Sequence, residues 1–161
     1  MSGWILGVDP GSRATGFGLV REEGQHLSHL DHGRVSSGGD LPLEISLCRI
    51  FDALNDLIQR HRPQALALEE IFLAANVKSA FILGQVRGVV LLAAAKASLP
   101  VYHYAPRVVK KAVVGYGQAT KDQVQLMVER LLGLKITDQH AADALAVGLC
   151  HLFHRRFPAF G

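Results

Sequence analysis

Two acidic residues close short apolar runs in this chain: Asp9 follows Trp4-Ile5-Leu6-Gly7-Val8, and Glu69 follows Ala65-Leu66-Ala67-Leu68. Such runs read as central strands covered on both faces. If the two strands are parallel neighbours, both carboxylates emerge at one sheet edge, where open α/β sheets bind ligands. Carboxylates brought together unpaired repel, so the arrangement makes sense chiefly when a cation lies between them. A third segment adds His140 and Asp143, three apart and therefore on one face of a helical first turn. Asp, Glu, His and Asp form a donor set suited to Mg²⁺ or Mn²⁺ rather than to structural zinc. Two such ions can activate water and stabilise the leaving oxygen of a phosphodiester. Each residue also has a plainer reading. Asp9 can cap the Pro10-Gly11 turn, Asp143 can be a first-turn acid favoured by the helix dipole, and Glu69 can be half of a surface ion pair.

The elements that must position these groups follow from local patterns. After the first strand, Pro10-Gly11-Ser12 turns the chain, and alternation over 14–21 places Thr15, Phe17 and Leu19 on one side with small residues between them. A third strand over 28–36 completes an antiparallel meander. Leu47, Ile50, Phe51, Leu54, Leu57 and Ile58 recur at helical spacing ahead of Pro63, so 43–61 is an amphipathic helix. The strand at 65–69 follows it, making a right-handed crossover that leaves this strand parallel to the first. A long helix over 77–99 ends at Pro100, and a fifth strand covers 101–104. Helices are expected over 107–114, from the capping box Thr120-Lys121-Asp122-Gln123 to 132, and from about 138 to 153. The expected architecture is α/β: a five-stranded mixed sheet with helices on both faces, one domain over 1–161.

Composition sets outer bounds. With 49% hydrophobic and 19% charged residues the chain reads as globular, not disordered. A net charge of +3 is compatible with a polyanionic partner without identifying one. Cys48 and Cys150 form no Cys-x-x-Cys, which argues against a disulfide framework or a zinc ribbon. No signal-like segment opens the sequence, and the apolar run near 89–95 is too short to span a bilayer, so a reduced, cytoplasmic protein without a membrane partner is expected.

Four ordered blocks then carry a resemblance: "GVDPGSRATGFG", "LALEEIFLAANVKSAFILGQVRG", "YAPRVVKKAVVGYGQATKDQVQLMV" and "HAADALAVGLCH". Together they resemble RuvC-type Holliday-junction resolvases, DNA endonucleases with a ribonuclease H-like fold. The resemblance implies metal-dependent, symmetric nicking of two like-polarity strands of a four-way junction in recombination and repair, leaving 5′-phosphates. It places the catalytic and metal-binding roles on Asp9, Glu69, His140 and Asp143, with two Mg²⁺ ions per subunit and Mn²⁺ as a substitute. Glu70 is not a match. The usual first aspartate of the last block is His140 here, either a ligand that favours Mn²⁺ or a general acid or base.

The resemblance further assigns phosphate contacts to Lys110 and Lys121, with Lys78, Arg107 and Lys111 nearby in sequence. It makes Phe72 a wedge stacked on an unpaired base, against the alternative of a core aromatic. It implies a homodimer, whose two-fold axis suits a four-way junction, and the branch-migration complex of RuvA and RuvB as partner. Gly84 and Gly88 mark either close approach in that dimer or tight helix-sheet packing within one subunit. His151 and His154 read as surface or interface groups, and His26, His29 and His32 carry no assigned chemistry. Three other functions compete. An actin-like ATPase needs roughly double the length, an RNA-directed relative would keep the same carboxylates, and an inactive junction binder would bind without cutting.

Overall fold

The computed structural model describes residues 3–37, 39–70 and 76–156. In chain order its elements are β1 (Ile5–Asp9), β2 (Ala14–Glu23), β3 (His26–Ser36), α1 (Leu43–His61), β4 (Ala65–Glu69), α2 (Val77–Lys96), β5 (Val101–Tyr104), α3 (Pro106–Val114), α4 (Lys121–Leu132) and α5 (Gln139–Arg156). The sheet runs β3-β2-β1-β4-β5. β1 is antiparallel to β2 and parallel to β4, so the expected crossover is present. β5 pairs parallel with β4.

Alternation along the strands sorts the side chains into two cores. Leu6, Val8, Leu19, Leu66 and Leu68 pack toward α1 and α2. Ile5, Val20, Ala65 and Ala67 pack toward α3, α4 and α5. The small residues of β2 lie on this second face, and the structure shows why they are small. A Cβ on Gly7 would stand 2.0 Å from the Ala144 carbonyl oxygen, and one on Gly16 would stand 1.9 Å from that of His140. A Cβ on Gly18 would come within 2.4 Å of the Leu145 side chain. α5 therefore lies directly on the backbone of β1 and β2. Eleven of its residues are buried, which is why it lacks the polar face of an ordinary surface helix.

Several boundaries differ from expectation, and three have a readable cause or partner. α2 stops at Lys96 rather than 99, because Pro100 disfavours helical backbone at the preceding residue and the chain turns through Ser98 at φ 55°. α5 continues past 153 to Arg156, its last turn carrying His154, Arg155 and Arg156 against the negative end of the helix dipole. β3 begins at His26, two residues early, paired with Glu23 of β2.

The apolar run near 89–95 belongs to α2. α2 has 20 residues with a mean hydropathy of 1.5, long and apolar enough by length and composition to cross a membrane. Val86, Val90, Ala93 and Ala94 are buried in the core, and the other described side chains of the helix are partly or fully exposed.

The glycine contacts yield a prediction. Gly16→Ala should lower stability by about 1–3 kcal/mol, the usual cost of overpacking, because the added methyl meets helix backbone rather than a movable side chain. Denaturant midpoints of the two proteins test this, and equal midpoints would refute it.

Candidate active site

Asp9 is the last residue of β1 and Glu69 the last of β4, and the register of these parallel neighbours runs up to Val8↔Leu68. Both carboxylates thus leave the same edge of the sheet. α5 begins beside them. The Asp138 side chain accepts the Ala141 N–H at 3.0 Å, capping the helix, and Arg34 Nε lies 3.2 Å from the same carboxylate. One turn on, Asp143 reaches the strand ends.

Asp9, Glu69 and Asp143 line one cleft of about 130 Å³, together with Lys110 and Lys121. Lys110 comes from the middle of α3. Lys121 opens α4, where Thr120 and Gln123 form the full capping box, and its Nζ stands 3.7 Å from Asp143 Oδ2. His140 lies on the wall of an adjoining cavity of about 360 Å³, which shares Asp9, Lys121 and Asp143 with the cleft. All four expected site residues are therefore brought together, the three carboxylates in the cleft and the imidazole at its side.

Burial raises the proton affinity of all three carboxylates, and neighbouring acids add to it at Asp9 and Glu69. Asp9 is pushed well above the ordinary aspartate range, first by burial and then by Glu69 and Asp143, with Lys121 opposing. Glu69 is raised from 4.5 to about 7 by burial and Asp143, against Lys121 and Lys110. Asp143 is raised by burial, while Lys121, His140 and Lys110 pull it down. Two lysines only partly offset this excess of negative charge. Among the described residues no three acidic or histidine side chains close into a finished coordination shell. The donor chemistry fits a divalent cation nonetheless: part-buried carboxylates held near each other, one imidazole alongside, and charge left over for a cation to neutralise.

The remaining expectations divide. Arg107 is exposed on the first turn of α3, and Lys78 on the first turn of α2. Lys111 is not brought to the carboxylates. One residue past Lys110 on a helix, it turns about 100° away and lines a separate groove with Val108, Phe153 and His154. Phe72 lies outside the described residues. Glu70 acts on Arg87 of α2 rather than on Asp143, in keeping with its exclusion from the site. His154 is exposed as expected, but His151 is not a surface group: it is 5% exposed, and its Nδ1 is hydrogen-bonded to the Tyr104 hydroxyl at 2.6 Å. Burial, then Arg155 and His154, hold it at about 4, so it packs as a neutral ring. His29 and His32 stand 2.7 Å apart across the irregularity in the β2–β3 ladder, remote from the cleft elements.

Sequence reasoning passed over two residues that touch the site's framework. Asp138 was read only as a helix start. Arg87 interrupts the apolar stretch "GQVRGVV", and its guanidinium donates to the Glu69 carbonyl oxygen at 2.8 Å. A cation in the apolar middle of the helix, away from the lysines at its two ends, is the available signal.

Comparison with known proteins agrees with this geometry. A family model described as crossover junction endodeoxyribonuclease RuvC matches residues 5–151. A protein of that name from Maricaulis maris is 49% identical over 158 residues, covering 98% of this chain and 95% of its own. One from Geobacter metallireducens is 47% identical over 148 residues, covering 91% and 90%. Among solved structures, Thermus thermophilus RuvC in complex with Holliday junction substrate superimposes with a TM-score of 0.90 at 38% identity, covering 95% of this chain and 94% of that one. The sheet and its flanking helices are those of the ribonuclease H-like fold.

The electrostatics predict an unusual pH dependence of stability in EDTA. An unfolded glutamate gives up its proton near 4.5, whereas folded Glu69 keeps it to about 7. Between those values the folded state binds more protons, so this group's contribution to stability is lost as pH rises. Denaturant midpoints should show a smaller decline from pH 5 to pH 7.5 in Glu69→Gln than in the parent. Identical pH profiles would contradict the assignment.

Proposed function

The chain belongs to the RuvC family of crossover junction endodeoxyribonucleases, and on that premise we propose that it resolves Holliday junctions by nicking two like-polarity strands. One observation carries the reading: Asp9, Glu69 and Asp143 share a cleft whose wall also presents Lys110 and Lys121. Nucleases of this family are metal-dependent. Asp9, Glu69 and Asp143, with His140 beside them, would hold Mg²⁺, two ions per subunit, with Mn²⁺ able to substitute. When bound, such ions supply an activated water and offset charge on the leaving oxygen.

The chain's own groups do the rest. Lys110 and Lys121 receive phosphate oxygens, and Arg107 and Lys78 extend this sequence-independent contact outward. Lys111, on its separate groove, would touch only a junction arm that bends around α3. Lys121 exchanges its ion pair with Asp143 for the backbone phosphate as substrate enters. His140, outside the cleft proper, serves either as a ligand or as a group that moves a proton at a ring nitrogen. Phe72 would stack on an unpaired base beside the scissile bond. The products are nicked duplexes with 5′-phosphates.

Resolution at two matching positions calls for two clefts related by a two-fold axis. α2 supports a homodimer. Val77, Phe81, Gly84, Gly88, Leu91 and Leu92 fall along one stripe, Val77 and Phe81 are each 71% exposed, and a Cβ on either glycine would meet nothing within 4 Å. The glycines thus do not serve helix-sheet packing within the subunit. Branched DNA in the cytoplasm, delivered with the RuvA and RuvB branch-migration complex, is the proposed setting.

Synthetic four-way junctions, linear duplex and structured RNA, each with Mg²⁺, Mn²⁺ or EDTA, test the reading. Junctions should be cut in either metal and not in EDTA. Preference for RNA, or junction binding without cutting, would reject it. Asp9→Asn should abolish cutting, a loss of at least about 10³-fold on the scale of removing a catalytic group, while binding in EDTA persists. Phe81→Glu should convert dimer to monomer in sedimentation; an unchanged mass would exclude this face as the interface.

A further inference from the structure

Arg87 projects from a helix that is otherwise nearly all apolar at that level, and both ends of its guanidinium are engaged. Nη1 donates to the main-chain oxygen of Glu69 at 2.8 Å, and Nη2 donates to His103 Nδ1 at 2.8 Å. Arginine has no acceptor, so His103 presents an unprotonated Nδ1 to it. These bonds tie α2 at once to the end of β4 and to β5.

The Glu69 carbonyl is where such a tie matters. The β1–β4 register runs only to Val8↔Leu68, and Pro10, just beyond the end of β1, has no N–H to continue the ladder. On the other side Glu69 pairs with Tyr104, whose carbonyl accepts the Glu70 N–H at 2.8 Å. Glu69 is thus the last residue of β4, held by β5 on one flank and by a side chain where β1 gives out. Its carboxylate leaves on the opposite face, into the cleft. Rotating the Glu69 peptide plane would redirect that carboxylate, and catalytic groups tolerate displacements of only a fraction of an ångström.

We infer that Arg87 is a positioning residue for the nuclease reaction: braced on His103, its guanidinium fixes the main-chain carbonyl of Glu69 and so sets where the Glu69 carboxylate stands in the cleft. The inference rests on the reading of Glu69 as catalytic. It predicts that Arg87 affects turnover and not substrate affinity, since its guanidinium faces the α2 side of the sheet and the cleft opens on the other.

Single-turnover cleavage of a synthetic junction in Mg²⁺, junction binding in EDTA and amide hydrogen exchange in EDTA form the test. Arg87→Gln should lower the rate at saturating enzyme by about 10²-fold, the effect of an ångström-scale misplacement, with junction Kd changed by less than about 2-fold. Exchange of the Glu70 amide should accelerate at least about 10-fold, because the bond to Tyr104 loses its brace. Arg87→Lys keeps one donor and should recover part of the rate. His103→Leu removes only the brace and should show a smaller loss in the same sense. If Arg87→Gln does not fold, Arg87→Lys and His103→Leu carry the test, and parental rates in both overturn the inference. A loss confined to junction Kd would make Arg87 a DNA contact and overturn it as well. Glu69→Gln separates the two failures. If it still cuts, the reading of the site falls; if it is inert while Arg87→Gln cuts at the parental rate, only this inference falls.

Discussion

The candidate site depends on a contact in which helix backbone lies on strand backbone. Asp9 and Glu69 belong to the sheet, Asp143 belongs to α5, and no loop adjusts the distance between them. That distance is set where Gly7 and Gly16 meet the carbonyls of Ala144 and His140 and where Gly148 meets Val20. Positions 140, 144 and 148 fall on successive turns, so the glycines form a track that fixes both rotation and axial position of the helix. A methyl group anywhere on the track displaces the whole element, because close-packed interiors transmit such a change rather than absorb it. The glycines in "GVDPGSRATGFG" are as much part of the site as its aspartate.

Once the acids are placed, the burial of their charge becomes the dominant local cost, and repulsion between neighbouring acids adds to it at Asp9 and Glu69. The fold offsets this with cations of a particular kind. Lys110 and Lys121 sit on short helices, α3 and α4, that pack around the cleft, and the capping box that starts α4 also determines where Lys121 begins. The Lys121–Asp143 pair is 3.7 Å long, with the lysine largely exposed. With its lysine in solvent and its carboxylate part-buried, such a long pair holds the lysine only loosely. A cation in the cleft and a phosphate at its rim can therefore each displace one partner at little cost.

Much of this was legible in the sequence because two periodicities dominate it. Continuous apolar runs marked β1 and β4, and the intervening amphipathic α1 made them parallel, which was enough to bring Asp9 and Glu69 together. Small-large alternation marked β2, although its cause, the approach of α5, is a tertiary fact that no local pattern states. His151 was misplaced for a related reason: α5 is buried on nearly every side, so a polar residue there gives no sign of which face is solvent. Lys110 and Lys111 are equivalent as neighbours in a string and differ only once α3 is docked, when 100° of helical rotation puts one at the carboxylates and the other on a distant groove. Arg87 stands out in the sequence only as a cation amid apolar residues, because its partner at the site is the main-chain carbonyl of Glu69, and a backbone partner leaves no residue-type signature.

α2 ties these points together. One side supplies Val86, Val90, Ala93 and Ala94 to the core, another presents the open stripe from Val77 to Leu92, and Arg87 lies between them at the end of β4. A junction-resolving dimer must hold two clefts at a spacing and angle matched to two strands of one substrate. If the interface and the catalytic strand were joined through a loop, that spacing would vary with the loop. In the proposed dimer a single helix would touch both, so the dimer axis and the position of Glu69 would share one reference. In such a dimer the link from one cleft toward its symmetry mate would run through the backbone of α2 and a single arginine.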